Sequence, residues 1–205
     1  LVFEEGIQNI PAYICSWCKT LVNVTIPDRE VITDPYLGST DSYEIGNYAF
    51  YQCGSVKNII LPDNLTKIGS NSFSNCIGLT SIDVKDNVAS IGSNAFEGCT
   101  KLTNAHLPQT AYTIGSHAFS GCTALTSVDL GKVTTLGYCL FLNCTSLKSI
   151  TIPNTVTKVN DSGSYYTFYG TNQYYSPVGA LSGSYITDLV FEEGIQNIPA
   201  YICSW

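Results

Sequence analysis

Charged side chains are scarce in this sequence. Only 12% of its 205 residues are Asp, Glu, Lys or Arg, whereas about 25% is usual for a soluble domain. The charges that are present are mainly acidic, with 16 Asp and Glu against 9 Lys and Arg, which gives a net charge of −7. Because nucleic acids and anionic membranes bind basic surfaces, this balance argues against both as the main partner.

Long apolar runs are also missing. No segment approaches the roughly 18 apolar residues that a membrane-spanning helix needs, so no membrane span is predicted. The chain opens at Leu1 without Met or a basic leader, and we expect this residue to be a boundary within a longer protein. Hydrophobic residues nevertheless make up 44% of the chain, which is enough to build a substantial core.

An internal repeat dominates the sequence. The pattern Ile-Gly-x-x-Ala-Phe-x-x-Cys, clearest at 91–99, starts at positions 45, 68, 91, 114, 136 and, loosely, 159, so the spacing is 22 or 23 residues. Each unit continues with an apolar-x-x-apolar-x-apolar segment, as in 79–84. The period of two in that segment predicts a short strand. We expect the Gly to permit a tight bend and Ala-Phe-x-x-Cys to form a turn or short helix.

One unit cannot bury its own apolar face, so the units must stack into a solenoid. We predict an α/β repeat with a single ladder of short parallel strands and irregular or short helical returns. Stacking should align the Phe side chains in one internal column, which comprises Phe50, Phe73, Phe96, Phe119 and Phe141. It should align the Cys side chains in another, which comprises Cys18, Cys53, Cys76, Cys99, Cys122 and Cys144. In-register side chains of a parallel stack point the same way, so these thiols are predicted to be free.

A longer period is superimposed on the short one. Residues 1–17, LVFEEGIQNIPAYICSW, recur unchanged at 189–205, at an offset of 188 residues. We therefore interpret 1–205 as a single solenoid domain that contains one 188-residue super-repeat and 17 residues of the next. Insertions near 28–44 and 161–185 interrupt its first and last units.

The combined pattern L-x-x-I-x-L-P-x-x-L-x-x-I-G-x-x-A-F-x-x-C, clearest at 45–152, resembles the BspA-like leucine-rich repeats. The resemblance implies a leucine-rich-repeat solenoid. It also implies a cell-surface or extracellular location and adhesion to host proteins, glycans or other cells, since members of that family are mostly bacterial and protozoan surface or secreted proteins.

The exposed positions of the predicted strands are the first candidate ligand-binding face. They carry small polar residues in a regular array, and solenoids bind partners along such faces. The candidates are Asn58, Ser81, Asp83, Asn104, His106, Ser127, Asp129 and Thr151. The alternation also places His106 between Asp83 and Asp129, although no nucleophile or oxyanion site accompanies this row. The alternative is a solvated sheet surface without a ligand.

A Tyr-rich insertion is the second candidate. Its Gly and Ser content indicates a loop, and exposed Tyr offers large contact area at low entropic cost. The candidate contacts are Tyr165, Tyr166, Tyr169, Tyr174 and Tyr175. The alternatives are a self-packed loop that covers an irregular unit and an interface to the next super-repeat.

No cofactor or metal is predicted. Cys15 and Cys18 form a C-x-x-C motif, but they occupy the Phe and Cys positions of the first unit, and no second C-x-x-C completes a zinc site. The sequence thus predicts a non-catalytic binding module whose partner is a protein or glycan, with end-to-end self-association as a further option. The alternative function is a structural spacer or filament built from tandem super-repeats.

Overall fold

The structure of the protein is a computed structural model, and it shows a parallel-strand solenoid, each turn of which is called a coil below. It describes residues 1–4, 7–28, 42–110, 112–160, 165–169, 172–176, 179–195, 198 and 202. No helix in these ranges is long and apolar enough to cross a membrane.

The apolar-x-x-apolar-x-apolar segments form the predicted parallel ladder, called the first ladder. It comprises β1 (Asn23–Thr25), β3 (Asn58–Ile60), β5 (Ser81–Asp83), β7 (Asn104–His106), β9 (Ser127–Asp129), β11 (Ser149–Ile152) and β15 (Asp188–Phe191). Hydrogen bonding divides it into the groups β1-β3, β5-β7-β9 and β11-β15. Within each group the pairing is parallel and in register.

A second parallel ladder, which the sequence did not predict, runs along another side of each coil. Its six strands are β2 (Glu44–Ile45), β4 (Lys67–Ile68), β6 (Ser90–Ile91), β8 (Tyr112–Ile114), β10 (Val133–Leu136) and β12 (Lys158–Val159). Its register stacks the apolar residue that opens each unit, for example Ile68 on Ile45 and Ile91 on Ile68. The prediction of a single ladder was therefore wrong. Strands of two to four residues are too short to show an alternating pattern in the sequence.

The returns between strands are turns, and the predicted short helices are not confirmed. No helix occurs in the described ranges. Two positions in each of the best-repeated coils instead have left-handed backbone, as at Asn71 (φ 56°) and Asn75 (φ 59°). A left-handed residue every four positions interrupts the run of right-handed dihedrals that a helix needs. The α/β class therefore finds no support in the described residues, whose regular structure is entirely β.

The Gly that follows the opening Ile allows neighbouring coils to approach closely, and this differs from the expected tight bend. A Cβ added at Gly92 would lie 2.5 Å from the backbone nitrogen of Ser70 in the preceding coil. Gly69 and Gly115 show the same relation, with distances of 2.6 and 2.4 Å to backbone atoms. None of these three has a positive φ. The absence of a side chain is what the stack requires here.

Both internal columns are confirmed. The Phe rings of neighbouring coils stack with centroid distances of 5.3, 5.5, 5.3 and 6.0 Å. Every Phe of the column is fully buried, and so are the column cysteines from Cys53 to Cys144. The eight described cysteines are all free thiols, as predicted for the column.

The Tyr-rich insertion contains regular structure. β13 (Tyr165–Tyr169) pairs antiparallel with β14 (Asn172–Ser176). The prediction of a loop was therefore wrong for these residues, because β-favouring Tyr and Phe outweigh the surrounding Gly and Ser. Residues 29–41 of the first insertion lie outside the described part of the chain.

The two copies of the 17-residue segment take the same place in the first ladder. Val2 pairs in parallel with Thr25 of β1, on the following coil. Val190, its counterpart in the second copy, pairs in parallel with Thr151 of β11, on the preceding coil. One copy thus contacts the coil after it and the other the coil before it.

Candidate functional site

All eight residues predicted for the ligand-binding strand face are exposed on the first ladder, and this set is called the polar strand face. Strand alternation positions them. In β5, Ser81 and Asp83 are exposed while Ile82 between them is buried, and β7 repeats the pattern around Ala105. The face is thus a regular outer surface over a buried apolar row. Whether it binds a ligand stays a prediction.

The row Asp83–His106–Asp129 is in register across β5, β7 and β9. Each of the two carboxylates accepts a hydrogen bond from the residue two positions later in the sequence. Asp83 Oδ2 accepts a hydrogen bond from Lys85 Nζ at 2.6 Å, and this bond raises the pKa of Lys85. Asp129 Oδ1 accepts one from the backbone nitrogen of Gly131 at 2.9 Å. Local donors therefore orient both carboxylates, and the row offers polar contacts to a ligand.

A small cavity lies at the end of this row, which sequence reasoning missed. Its volume is about 240 Å³, and it is lined by Val128, Asp129, Leu130, Gly131, Thr151, Pro153 and Glu192. Two members of the polar strand face, Asp129 and Thr151, line it. Glu192 belongs to the second copy of the 17-residue segment, so only the stacking of coils brings it there.

The column cysteines from Cys53 to Cys144 are protonated thiols that form hydrogen bonds across coils. The thiol of Cys76 donates to the carbonyl oxygen of Phe50 at 3.3 Å, and Cys53, Cys99, Cys122 and Cys144 make equivalent bonds of 2.9 to 3.3 Å to the preceding coil. Burial raises the pKa of Cys53 to about 11 and that of Cys144 to about 12. A reactive cysteine needs a lowered pKa, so these thiols are structural.

The C-x-x-C pair has no sign of redox activation. Cys15 and Cys18 are half-buried free thiols, and burial together with Cys18 raises the pKa of Cys15. His106 lies on the first ladder, whereas His117 lies in a turn, where its ring is nearly perpendicular to that of Tyr138, with the centroids 5.0 Å apart. No group of three or more His, Cys, Asp or Glu in the described residues is arranged to hold a metal ion.

The candidate contacts in the Tyr-rich insertion fall on β13 and β14. They are Tyr165, Tyr166, Tyr169, Tyr174 and Tyr175. The backbone register places Tyr166 opposite Tyr175. Their side chains lie outside the described part of the structure, so their role stays a prediction.

A group of aromatic rings lies on the turns of the first two coils and is called the aromatic cluster: Tyr13, Trp17, Tyr48 and Tyr51. The rings of Tyr13 and Tyr48 stack at 4.9 Å with 3° between their planes. Tyr51 meets Tyr48 and Trp17 edge to face at 5.4 and 5.8 Å. Tyr13 remains 61% exposed and Trp17 57% exposed.

Three of these rings stand on left-handed backbone. Tyr13, Trp17 and Tyr48 have φ values of 59°, 65° and 59°, a conformation that costs a non-glycine residue about 1–2 kcal/mol. Six of the eight equivalent positions in the next four coils carry Asn or Gly, which tolerate it, and the other two carry His117 and Cys139. The six are Asn71, Asn75, Asn94, Gly98, Gly121 and Asn143. Sequence reasoning missed the cluster, although this departure from Asn and Gly was visible in the aligned units.

An open cleft adjoins the aromatic cluster and is called the turn cleft. It is lined by Lys19, Gln52, Gly54, Ser55, Asn75 and Ile77, and its volume is about 440 Å³. Gln52 connects the two features, because its Nε2 donates to the hydroxyl of Tyr51 at 3.1 Å. Ser55 Oγ donates to the carbonyl oxygen of Lys19 at 2.5 Å, which ties the first coil to the second.

Comparison with solved structures finds bacterial leucine-rich-repeat proteins. A leucine rich cell surface protein of Faecalibacterium prausnitzii is 29% identical, with a TM-score of 0.55, over 63% of this chain and 31% of its own. A leucine-rich repeat protein of Bacteroides ovatus is 27% identical, with a TM-score of 0.61, over 75% of this chain and 41% of its own. The chain thus spans less than half the length of both.

The leucine rich repeat protein of T. pallidum is 26% identical over 72% of this chain and 77% of its own, with a TM-score of 0.54. No curated protein matches the sequence. The family described as "BspA type Leucine rich repeat region" matches residues 43–174 with six copies, which is more than half of the chain. The resemblance seen in the repeated motif is therefore confirmed, and this chain belongs to the BspA type leucine-rich-repeat family.

Proposed function

We propose that this chain is a non-catalytic binding module of a cell-surface or secreted protein, and that it mediates adhesion to host proteins, glycans or other cells. The observation that carries the proposal is the polar strand face, whose eight side chains are all exposed on one ladder of a solenoid. Such an extended, regular surface is what repeat proteins use to bind partners. The similar structure from F. prausnitzii is a cell surface protein, which supports the same location here.

Binding of the chain to an array of extracellular-matrix proteins and glycans tests this proposal. In one variant, Asp83, His106 and Asp129 are changed to Ala. The matched control changes Lys67, Ser90 and Thr113 to Ala, since these residues form an in-register row on the second ladder. We expect saturable binding that the first variant loses by about tenfold or more and the control retains.

A third variant changes the five candidate Tyr residues of β13 and β14 to Ser. Loss of binding in this variant, whose polar strand face is intact, would indicate that the ligand contacts β13 and β14. No saturable binding to any member of the array by the unaltered chain would contradict the proposal.

A structural spacer or filament unit is the second candidate function. Its support is the 17-residue identity at an offset of 188 residues, together with the equivalent places of Val2 and Val190 in the first ladder. A solenoid can be extended by any unit that continues its ladders. Sedimentation of the chain at increasing concentration tests this candidate, which predicts end-to-end oligomers and no ligand.

A further inference from the structure

The two copies of the 17-residue segment are covered from opposite sides. Ile10 of the first copy is 1% exposed, whereas its counterpart Ile198 in the second copy is 56% exposed. The reverse holds for Ile14, which is 44% exposed, and its counterpart Ile202, which is 6% exposed. The sequences are identical, so the difference comes from which neighbouring coil each copy contacts. A copy with a coil on both sides would bury both isoleucines.

The first copy directs one set of backbone groups towards the coil after it. In the first ladder, the nitrogen of Phe3 donates to the carbonyl oxygen of Thr25 at 3.3 Å, and the carbonyl oxygen of Leu1 accepts from the nitrogen of Thr25 at 2.9 Å. The nitrogen of Ile10 donates to the carbonyl oxygen of Glu44 at 2.9 Å. Three further nitrogens donate in the same direction over 2.7 to 3.1 Å, those of Tyr13, Cys15 and Trp17.

The second copy directs a different set of groups towards the coil before it. The nitrogen of Glu192 donates to the carbonyl oxygen of Ile152 at 3.0 Å, and the carbonyl oxygen of Ile202 accepts a bond of 3.0 Å from the preceding coil. The same groups in the first copy are the nitrogen of Glu4 and the carbonyl oxygen of Ile14, and neither is among those that bind the following coil. The described bonds of the two copies therefore compete for no donor or acceptor.

The strand register is compatible with both sets of contacts at once. Val190 pairs in parallel with Thr151 of β11, and Val2 pairs in parallel with Thr25 of β1. Val2 and Val190 are the same residue of the repeated segment. An inner strand of a parallel sheet bonds to a neighbour on each side. One strand in this place can therefore pair with β11 of one unit and with β1 of the next, so that the first ladder continues.

We propose that the 17-residue segment is a junction coil, which packs against the last coil of one 188-residue unit and against the β1 coil of the next unit at the same time. The partner of this surface is a second copy of the unit. Consecutive units then form one uninterrupted solenoid, with no flexible linker between them. This inference rests on the second candidate function, a unit of a tandem array, and adds how the units join.

A chain of two units tests the junction. Residues 1–188 are joined directly to residues 1–205, so that the segment occurs at the start, at the junction and at the end. One unit contributes seven strands to the first ladder, and neighbouring strands lie about 4.8 Å apart. Small-angle X-ray scattering should therefore show a single rigid rod that is longer than the 205-residue chain by roughly 34 Å. Stacked repeats stabilise one another, so the urea midpoint should also rise.

One isoleucine of the segment reports on burial at the junction. In the 205-residue chain, Ile198 is exposed, so Ile198→Ala should shift the urea midpoint by less than about 0.2 M. The same substitution in the junction copy of the two-unit chain should lower the midpoint by about 1 M or more, because a coil then covers each side. Ile10→Ala is the control. Ile10 is buried in the shorter chain, so this variant should lower the midpoint in both chains.

The junction fails if the two units scatter as separate rods at variable angles, or if the junction substitution is as mild as Ile198→Ala in the 205-residue chain. A two-unit chain that does not fold would overturn it as well, because units that continue each other's ladders cannot clash. None of these measurements requires a ligand or association between chains. Failure of the junction is therefore distinguishable from failure of the adhesion proposal, which the binding array tests, and from an absence of oligomers in sedimentation.

Discussion

The thiol of Cys99 donates a hydrogen bond to the carbonyl oxygen of Phe73, 3.3 Å away in the preceding coil. That oxygen also accepts from the backbone nitrogen of Cys76 in its own coil, at 3.2 Å. One carbonyl thus closes a turn and binds the next coil. The thiol hydrogen bond explains why Cys recurs at the column position. A purely apolar residue of similar size could not donate this hydrogen bond to the preceding coil.

Replacing one column cysteine should weaken the stack. In Cys99→Ala the sulfur is lost from a fully buried site, together with its hydrogen bond. We expect the free energy of unfolding to fall by about 1–3 kcal/mol, from the small cavity and the lost bond together. Urea unfolding followed by circular dichroism measures it. Cys15→Ala is the control, because Cys15 is only half-buried, and it should cost less. Equal effects at both positions would contradict the role assigned to the column.

The protonated column also predicts loss of stability in alkali. An ordinary thiol has a pKa near 9.0, whereas burial raises the pKa of Cys53 to about 11 and of Cys144 to about 12. The folded chain therefore keeps these protons to a higher pH than the unfolded chain does. The contribution of these thiols should be constant below pH 9, and stability should fall between pH 9 and 12, by up to about 1.4 kcal/mol per pH unit for each thiol. Urea midpoints at pH 7 to 11 test this.

Tyr112 titrates in the same direction and supplies the control for this experiment. Its hydroxyl donates to the carbonyl oxygen of Leu130 at 2.8 Å, and burial raises its pKa. Tyr112→Phe should remove the part of the stability decrease above pH 9 that comes from Tyr112. Cys99→Ala should remove the part that comes from one thiol. A stability that is flat from pH 7 to 11 in the unaltered chain would show that the column does not hold its protons.

The repeat unit made the outline of this fold predictable, since period, strand segment, Phe column and Cys column all follow from residues that recur together. Asp83 and His106 could be placed in one row because equal spacing on a parallel ladder fixes the register. Prediction failed where an element is very short. The pairing of Ile68 with Ile91 rests on strands of two residues each, which leave no alternation to detect.

The candidate site was predictable only in part, for a related reason. The polar strand face could be predicted because strand alternation determines which side chains of the segment are exposed. The aromatic cluster depends on backbone conformation at Tyr13, Trp17 and Tyr48. Tyr and Trp do not by themselves indicate a positive φ, so only comparison with the Asn and Gly of aligned units could have revealed it. The small cavity near Thr151 depends on Glu192, which the stacking of two distant segments brings there.

The close contact at Gly92 predicts a severe effect for a single methyl group. Gly92→Ala would place its Cβ 2.5 Å from the nitrogen of Ser70, and backbone atoms cannot move aside cheaply. We expect a loss of about 3 kcal/mol or more in the free energy of unfolding, or a failure to fold. Gly54→Ala is the matched control. Its Cβ would meet only the side chain of Ile77 at 3.3 Å, so its stability should change by less than about 0.5 kcal/mol. Comparable stability in both variants would refute the close-approach role.

The buried hydroxyl of Ser72 predicts a stabilising substitution. Ser72 is fully buried, and within the described part of the chain its Oγ has no hydrogen-bond partner. Neighbouring coils carry Ala49, Ala95 and Ala118 at the same position, all fully buried. A buried polar group without a partner costs about 1–3 kcal/mol, so Ser72→Ala should raise the free energy of unfolding by about 1 kcal/mol and shift the urea midpoint upward. Ala95→Ser provides the reverse experiment and should lower stability by a similar amount. If Ser72→Ala is less stable than the unaltered chain, this prediction is wrong. The Ser72 hydroxyl then has a hydrogen-bond partner in solution.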